Sequence, residues 1–427
     1  MASGGDSPLV LVTGASGYIA AHIIKLLLEE EYRVRGTVRS LQNEQKVKPL
    51  QELCPDARYP LELVEADLTN PDCWKDVVKD CTYVIHVASP FPNAPPSNEE
   101  DVVKPAVEGT KNVLQACADA GTVKRVVLTS SIAAIHGETV AEDGKVYTEG
   151  DWSNPDSPTI DAYSKSKTLA EREAWDFVKE LPDDKKFELS VINPGYVLGP
   201  TVNGAISTSL EIVKRLMERS IPMVPKLNMC VCDVRDVAQG HLKAMTLPEA
   251  ADHRHIISTQ TVWMKDIALV LAKEFKSHGY CIPTMMAPYI ALWLNSFFDK
   301  SVRWLLPRVG REFKFDNKRM KEVLEITPRE LNQTIIDTAY SLLDSGLVKK
   351  SKKSKKEKTQ PQTEGQQEEG QQETENKEEG EKKEESDEKE AEKEKNEEEK
   401  PKELEPEDKP EKLDTNEKVE IEAVECK

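Results

Sequence analysis

The stretch "LVLVTGASGYIAAHIIKLLLEEE" (residues 9–31) constrains this chain more than any other part of it. "LVLVTG" (9–14) is a short apolar run of the kind that forms a strand buried on both faces. "YIAAHIIKLLLEEE" (18–31) is apolar at helical spacing and ends in charge. Between them lies a glycine turn. Gly14 permits the tight turn, and Gly17 lets the backbone approach an anion at the helix N-terminus. Ala20 takes the third small position, where helix and strand pack closely. Ser16, Tyr18 and Ile19 complete the turn and the helix start. Strand, glycine turn and helix in this order form a cradle for a pyrophosphate.

The same alternation continues. "RVRGTVR" (33–39), "LELVEADL" (61–68), "YVIHVAS" (83–89), "RVVLTSS" (125–131) and "ELSVINPGYVLGP" (188–200) read as further strands. Helical patterns lie between them at 72–81, at 100–119 and from Tyr163 onward. Apolar strands alternating with helices imply an α/β fold, a doubly wound Rossmann-type parallel sheet covered on both faces. Such sheets bind ligands at the carboxyl ends of their strands. Beyond residue 199 the pattern loosens. A helix is expected over 209–220, and "DVRDVAQGHLKAM" (233–245) reads as a return to the main sheet with a helix packed on it. The expected division is one folded domain over 1–346. Its cofactor part is mainly 8–195 and 233–260, and a smaller C-terminal substrate lobe is mainly 196–232 and 261–346.

The end of the second strand selects the cofactor. An acidic residue there would bind a ribose 2′-hydroxyl and favour NAD. This chain has "TVRS", with Arg39 and no acid. A guanidinium matches a 2′-phosphate, and Lys46 adds a second positive charge. The expectation is NADP(H). Asp67 and Leu68, ending the third strand, are placed for the adenine edge. Val87, Ala88 and Ser89, ending the fourth, are placed near the cofactor's ribose and pyrophosphate.

The fifth strand ends in "TSS" (129–131), and a helix carrying "YSKSK" (163–167) follows after a long loop. Residues four apart share a helix face, whereas Lys165 is turned about 200° from Tyr163 at about 100° per residue. Lys167 is therefore the partner of Tyr163, and Lys165 is left as a solvent-facing charge. Reduction of a carbonyl by hydride leaves an alkoxide that must receive a proton. A tyrosine can supply it, but an ordinary phenol with a pKa of about 10 is poorly matched to neutral pH. A nearby ammonium lowers that pKa. The same lysine can donate to the nicotinamide ribose. Ser131 is placed to hydrogen-bond the substrate oxygen. The expected catalytic set is Ser131, Tyr163 and Lys167.

These stretches, with "HVASPF" (86–91), "NPGYVLGP" (193–200) and "DVRDVAQGHL" (233–242), resemble the extended short-chain dehydrogenase/reductases. Within them the chain is similar to the dihydroflavonol reductase, cinnamoyl-CoA reductase and yeast methylglyoxal reductase group. The resemblance covers about residues 8–346. It implies that the catalytic serine is the second of the pair, Ser131 rather than Ser130. It also implies that Arg39 and Lys46 meet the 2′-phosphate and that Pro194 and Val197 line the nicotinamide. A C-terminal lobe is implied to shape the substrate site, with Ser89, Pro90, Phe91, Ile132 and Tyr196 as pocket residues. No flavonoid- or CoA-recognition pattern accompanies these motifs, so neither plant substrate is carried over.

Composition bounds the partners. The 427 residues carry 58 Lys+Arg against 77 Asp+Glu. Residues 349–427 hold 19 Lys and 29 Asp+Glu, so the part before them has 39 against 48, a net of −9. A mildly acidic globular part argues against a nucleic-acid surface. The Lys/Glu-rich tail, 347–427, has too few apolar residues to fold and is expected to be disordered. It opens on the basic run "KKSKKSKKEK" (349–358), which reads as a solvated tail or as an interaction or nuclear-localisation-like block. The eight cysteines show no metal-ligand spacing, and His86, His136, His253 and His255 form no metal pattern. No metal is expected. Free thiols and the lack of a signal peptide suggest a cytoplasmic protein.

"MMAPYIALWLNSFF" (285–298) is too short for the ~20 residues of a spanning helix. It is expected to be a buried helix or a pocket wall, with a membrane-touching patch as the second reading. The overall expectation is an NADPH-dependent reductase of a small aldehyde or ketone, monomeric or homodimeric. The alternatives are a 3β-hydroxysteroid dehydrogenase or sugar epimerase using the same triad, and a cofactor-binding sensor or scaffold acting through the tail.

Overall fold

The computed structural model describes residues 7–89, 98–140, 142 and 144–351. Pro90, Phe91 and the tail from residue 352 lie outside the described residues. The first half runs β1 (Leu9–Val12), α1 (Tyr18–Glu29), β2 (Arg33–Val38), α2 (Glu44–Gln51), β3 (Glu62–Glu65), α3 (Trp74–Val78), β4 (Tyr83–His86), α4 (Glu100–Ala120), β5 (Arg125–Thr129), β6 (Val146–Tyr147), α5 (Ala162–Glu180) and β7 (Glu188–Pro194). It continues with β8 (Tyr196–Leu198), α6 (Thr208–Met217), β9 (Asn228–Asp233), α7 (Val234–Thr246), β10 (Arg254–Ile257), β11 (Gln260–Trp263), α8 (Met264–Phe275), α9 (Tyr289–Asn295), α10 (Lys300–Leu305), β12 (Lys314–Phe315), α11 (Lys318–Glu322) and α12 (Leu331–Asp344).

Seven strands form one parallel sheet in the order β10-β7-β5-β4-β1-β2-β3. Side chains alternate across it, as strand geometry requires. Val10 and Val12 of β1 join a core under α1 and α7 with Ile23, Leu27 and Val237. Leu9 and Leu11 face the opposite way and pack with Trp74, Leu114 and Ala174 of α3, α4 and α5. Both faces are thus covered, which is the doubly wound Rossmann-type arrangement. The strand order reverses between β1 and β4, and a crevice opens there at the carboxyl ends.

Three expectations change. The strands stop earlier than their apolar runs, because the last residues of each run turn into the loops at the carboxyl edge. The run 188–200 divides in two, β7 and β8. The strand before α7 is not in the main sheet: β9 sits between β8 and β11 in a three-stranded sheet. An apolar strand records burial but not which sheet it joins, and the seventh main-sheet strand is instead β10. A third core joins β8 and β9 to α6, α8 and α12 through Leu198, Val231, Leu216, Leu271 and Ile335. Helix α2 was not expected from the sequence. Only Leu50 of it is buried and Pro49 lies inside it, so it shows no apolar stripe.

Residues 285–298 contradict the buried-helix expectation. No residue of α9 is buried. Phe298 is 90% exposed and Ile290 67%.

Four histidines, His22, His86, His241 and His255, are buried, and burial lowers the pKa of each. Burial pushes His86 down to about 3 and His241 and His255 down to about 4. The unfolded chain therefore takes up protons below about pH 6.5 that the folded chain refuses, and stability falls as pH drops through that window. Asp236, raised by burial to about 6, and Glu149, also raised by burial, act in the opposite sense, two groups against the four buried histidines. The urea midpoint should fall between pH 7 and pH 4.5. An unchanged or rising midpoint would show that these imidazoles are protonated in the fold.

Candidate active site

The glycine turn is held from beneath by β2. Thr37 Oγ1 accepts from the Gly14 N–H at 2.9 Å, and the Thr37 carbonyl accepts from Ala15 at 2.8 Å. Gly14 has φ +70°, and a Cβ there would meet the Ala88 Cβ at 3.0 Å. Only glycine serves both demands. The Gly17 N–H is itself committed to the Gly14 carbonyl at 2.8 Å. What faces outward is the first turn of α1, which has no side-chain cap and no acidic residue. Such an uncapped helix start fits an anion. The phenol of Tyr18 does not join this mouth. It is buried and donates to the Gly199 carbonyl at 2.9 Å, leaving only its backbone toward the turn.

Thr13 fastens the crevice. Its hydroxyl lies 2.8 Å from His86 Nδ1 and accepts from the N–H groups of Val87 and Ala88 at 3.0 Å each. The end of β1 is thereby locked to the end of β4. Arg39 is exposed just past β2, with no hydrogen-bond or salt-bridge partner among the described residues, and Lys46 is exposed on α2. Asp67 is exposed and holds Thr69 through its N–H at 2.8 Å and its hydroxyl at 2.6 Å. These bonds and the Arg39 charge keep its carboxyl low. The carbonyl of Leu68 accepts from Asn112 at 2.9 Å.

At the end of β5 the two serines part. Ser130 Oγ donates to Glu171 at 2.5 Å and is thereby turned inward. Ser131 caps a short turn, its Oγ accepting from the Ala133 N–H at 3.1 Å. Its hydroxyl also acts on the Tyr163 phenol, so the structure brings these two side chains together. Asp161 caps α5 through the Ser164 N–H at 2.9 Å, which fixes where Tyr163 stands. Arg308 reaches across to Asp161 at 2.6 Å.

Lys167 is buried one turn along α5, and its Nζ donates to the Thr129 carbonyl at 3.3 Å. It shares a small cleft with Ala88, Ser89 and Thr129. Lys165 points elsewhere, as its angle requires. It is not simply solvated, because it pairs with Glu99 at 2.6 Å. Burial pushes the Tyr163 phenol up to about 12; the Ser131 hydrogen bond opposes this, and Asp161 and Tyr196 add to it. Burial pushes Lys167 down to about 8, against the Glu171 carboxylate. The expected lowering of the Tyr163 pKa by Lys167 is not what this geometry gives. Desolvation sets the direction, and Lys167 is not among the groups acting on the phenol.

Tyr196 is half-buried and close enough to act on Tyr163 electrostatically. Ile132 packs toward Ile135, Tyr147 and Ile256. Pro194 ends β7 and Val197 lies in β8, both buried. Among the described residues no cluster of three His, Cys, Asp or Glu side chains could hold a metal.

A buried network beneath the site was not read from the sequence. Glu171 has no exposure and accepts from Ser130, from Asn193 at 2.9 Å and from Arg254 Nε at 2.5 Å. Asn193 also donates to the Ser131 carbonyl at 3.1 Å. Arg254 gives further donors to the carbonyls of Glu149 at 2.9 Å and Asp151 at 2.5 Å, and stacks on Trp152 at 3.7 Å. The only sequence signal was that Glu171 lies four positions after Lys167.

With this geometry in hand, comparison with known proteins places the chain. It belongs to the NAD dependent epimerase/dehydratase family, whose model matches residues 10–258. It is 35% identical over 353 residues to the NADPH-dependent methylglyoxal reductase GRE2 of Saccharomyces cerevisiae, covering 78% of this chain and 98% of that one. It is 35% identical over 341 residues to cinnamoyl-CoA reductase 1 of Petunia hybrida, covering 79% and 93%. The crystal structure of the yeast methylglyoxal/isovaleraldehyde reductase Gre2 complexed with NADPH superposes with a TM-score of 0.65 at 32% identity, covering 80% of this chain and 100% of that one.

Replacing Arg254 by Met would leave Glu171 buried without its charge partner. Breaking one side of such a pair costs about 3–5 kcal/mol. Urea denaturation of Arg254→Met should show a loss of that size, and the double variant Glu171→Gln, Arg254→Met should recover part of it. Equal losses in the two variants would mean that the charges are not coupled.

Proposed function

We propose that this protein is an NADPH-dependent oxidoreductase that reduces an aldehyde or ketone to an alcohol. The observation that carries the reading is the grouping of Ser131 and Tyr163 at the carboxyl end of β5, where the serine hydroxyl acts on the phenol, with Lys167 one turn further along α5. The relatives support it: the yeast protein is by name an NADPH-dependent reductase of methylglyoxal. In this reading residues 8–195 and 233–260 mainly hold the cofactor, and 196–232 and 261–346 mainly shape the substrate site.

The residues fit the cofactor as follows. The uncapped first turn of α1, with Gly14, Ser16, Gly17 and Ile19, takes the pyrophosphate. Arg39, exposed and without a salt bridge, takes the 2′-phosphate, and Lys46 adds charge beside it. Asp67 and Leu68 border the adenine, Val87, Ala88 and Ser89 the ribose and pyrophosphate, and Pro194 and Val197 the nicotinamide. Bound NADPH supplies the hydride. Ser131 and Tyr163 receive the carbonyl oxygen between their hydroxyls, and Tyr163 delivers its proton to that oxygen as the carbon is reduced. A phenol raised to about 12 stays protonated at neutral pH, which suits reduction. Lys167 donates to the nicotinamide ribose from the floor of the cleft.

Tyr163→Phe should lower turnover roughly 10²–10⁴-fold while NADPH binding stays nearly intact. Full activity in that variant would end this mechanism. NADPH should be preferred to NADH, and Arg39→Ala should narrow the preference by about tenfold or more. A panel of aldehydes, α-diketones, sterols and nucleotide sugars, followed at the nicotinamide absorbance band, separates carbonyl reduction from the steroid and sugar alternatives.

A further inference from the structure

We propose that residues 285–311 form a docking surface for an anionic lipid bilayer, with the basic run that begins at Lys349 as its electrostatic second contact. Fourteen large hydrophobic side chains are exposed among the described residues, and eight of them fall between 285 and 298. Such concentration is not the scattered exposure that any protein surface shows. The patch is built on α9, which presents Ile290, Trp293 and Leu294 and is followed by Phe297 and Phe298. Trp293 and Phe297 meet edge to face at 4.9 Å, so the aromatic ridge is already formed.

The segment is fastened at both ends. Val224 exchanges two backbone hydrogen bonds with Met285 and Ala287, each 2.9 Å. Arg308 donates to the Gly137 carbonyl at 3.1 Å and to Asp161 at 2.6 Å. An apolar ridge held this way stands out from the body without having to fold on contact. It has the chemistry of an interface helix, because Trp, Tyr and Phe are the side chains that settle at the headgroup level.

Charge identifies the occupant. Residues 285–311 contain Lys300, Arg303, Arg308 and Arg311 against the single acid Asp299; Arg308 is paired with Asp161 outside the segment, which leaves three basic residues against one acid. This local excess stands in a body, residues 1–348, of 39 Lys+Arg against 48 Asp+Glu. Arg303 is exposed and lies against the end of α9, donating to the Ser296 carbonyl at 3.1 Å. A second basic element starts nearby. Tyr280, five positions before Met285, donates to the Lys349 carbonyl at 3.1 Å and accepts from the Ser351 N–H at 3.2 Å. From that anchor the chain continues through "KKSKKSKKEK", with seven lysines and one glutamate in 349–358. One weak signal gives only marginal membrane binding, whereas an apolar insertion plus a polybasic stretch gives stable attachment. A second copy of the chain would bring the same local excess of positive charge to the contact, which an anionic surface does not. No helix among the described residues is long and apolar enough to cross a membrane, so the contact is interfacial.

The test is flotation of the full chain with phosphatidylcholine vesicles, with and without phosphatidylserine, at low and high salt and without cofactor or substrate. Its outcome is therefore independent of the proposed reductase activity. The protein should float with the phosphatidylserine vesicles at low salt and be released by high salt. Ile290→Glu, Phe298→Glu and, separately, Lys352→Gln, Lys353→Gln, Lys355→Gln, Lys356→Gln should each weaken partitioning at least about tenfold. These variants alter exposed or tail positions, and unchanged near-UV circular dichroism would verify their fold. Absence of flotation, or flotation unaffected by either variant, overturns the proposal. So does a dimer in light scattering that only Ile290→Glu, Phe298→Glu dissolves, with no vesicle binding, because the ridge then belongs to a second copy.

Discussion

A carboxylate with no exposure must be surrounded by donors, and Glu171 is. Ser130, Asn193 and Arg254 all give it hydrogen bonds, and Trp175 lies 3.4 Å away. Those donors come from the end of β5, from β7 and β10, and from α5 itself. Arg254 extends the tie to the loop at 149–151 and rests on Trp152. Ion pairs this deep seldom add net stability over a well-packed apolar alternative. Here the pair fixes relative position. Ser131 follows the serine that Glu171 holds, Lys167 precedes Glu171 by one turn, and Asn193 grips the Ser131 carbonyl. The groups proposed to act on the substrate all stand on elements joined by one buried charge pair.

The same burial sets the electrostatics. Away from water, the Tyr163 phenol keeps its proton and the Lys167 ammonium loses part of its preference for one. The Glu171 carboxylate counters the second effect but does not cancel it. The outcome is a phenol pushed up to about 12 and a lysine pushed down to about 8 on one helix.

The sequence made the first half of the fold legible because a parallel sheet buried on both faces writes its strands as continuous apolar runs. Gly14, Arg39, Ser131, Tyr163 and Lys167 were readable for a related reason: each sits at a strand end or helix start whose position the alternation fixes. Other features depended on long-range partners. Arg254 meets Glu171 across 83 positions of sequence, and no local pattern announces that. β9 carries the apolar signature of a main-sheet strand yet belongs to the smaller sheet. Apolarity also misled at 285–298, where hydrophobic composition suggested burial and the structure exposes the ridge. The direction of the Tyr163 pKa was likewise invisible, because a Y-x-x-x-K spacing records proximity and not the depth at which the pair is buried.

Buried Lys167, and not Tyr163, is the group expected to titrate in the working range. The pH dependence of kcat/KM for NADPH-driven carbonyl reduction tests it most directly, because that ratio reports ionisations of the free enzyme. Activity should decline as pH rises through about 8, where Lys167 loses its charge, with Tyr163 still protonated there. A profile that stays flat to pH 10 and falls only beyond it would contradict the account.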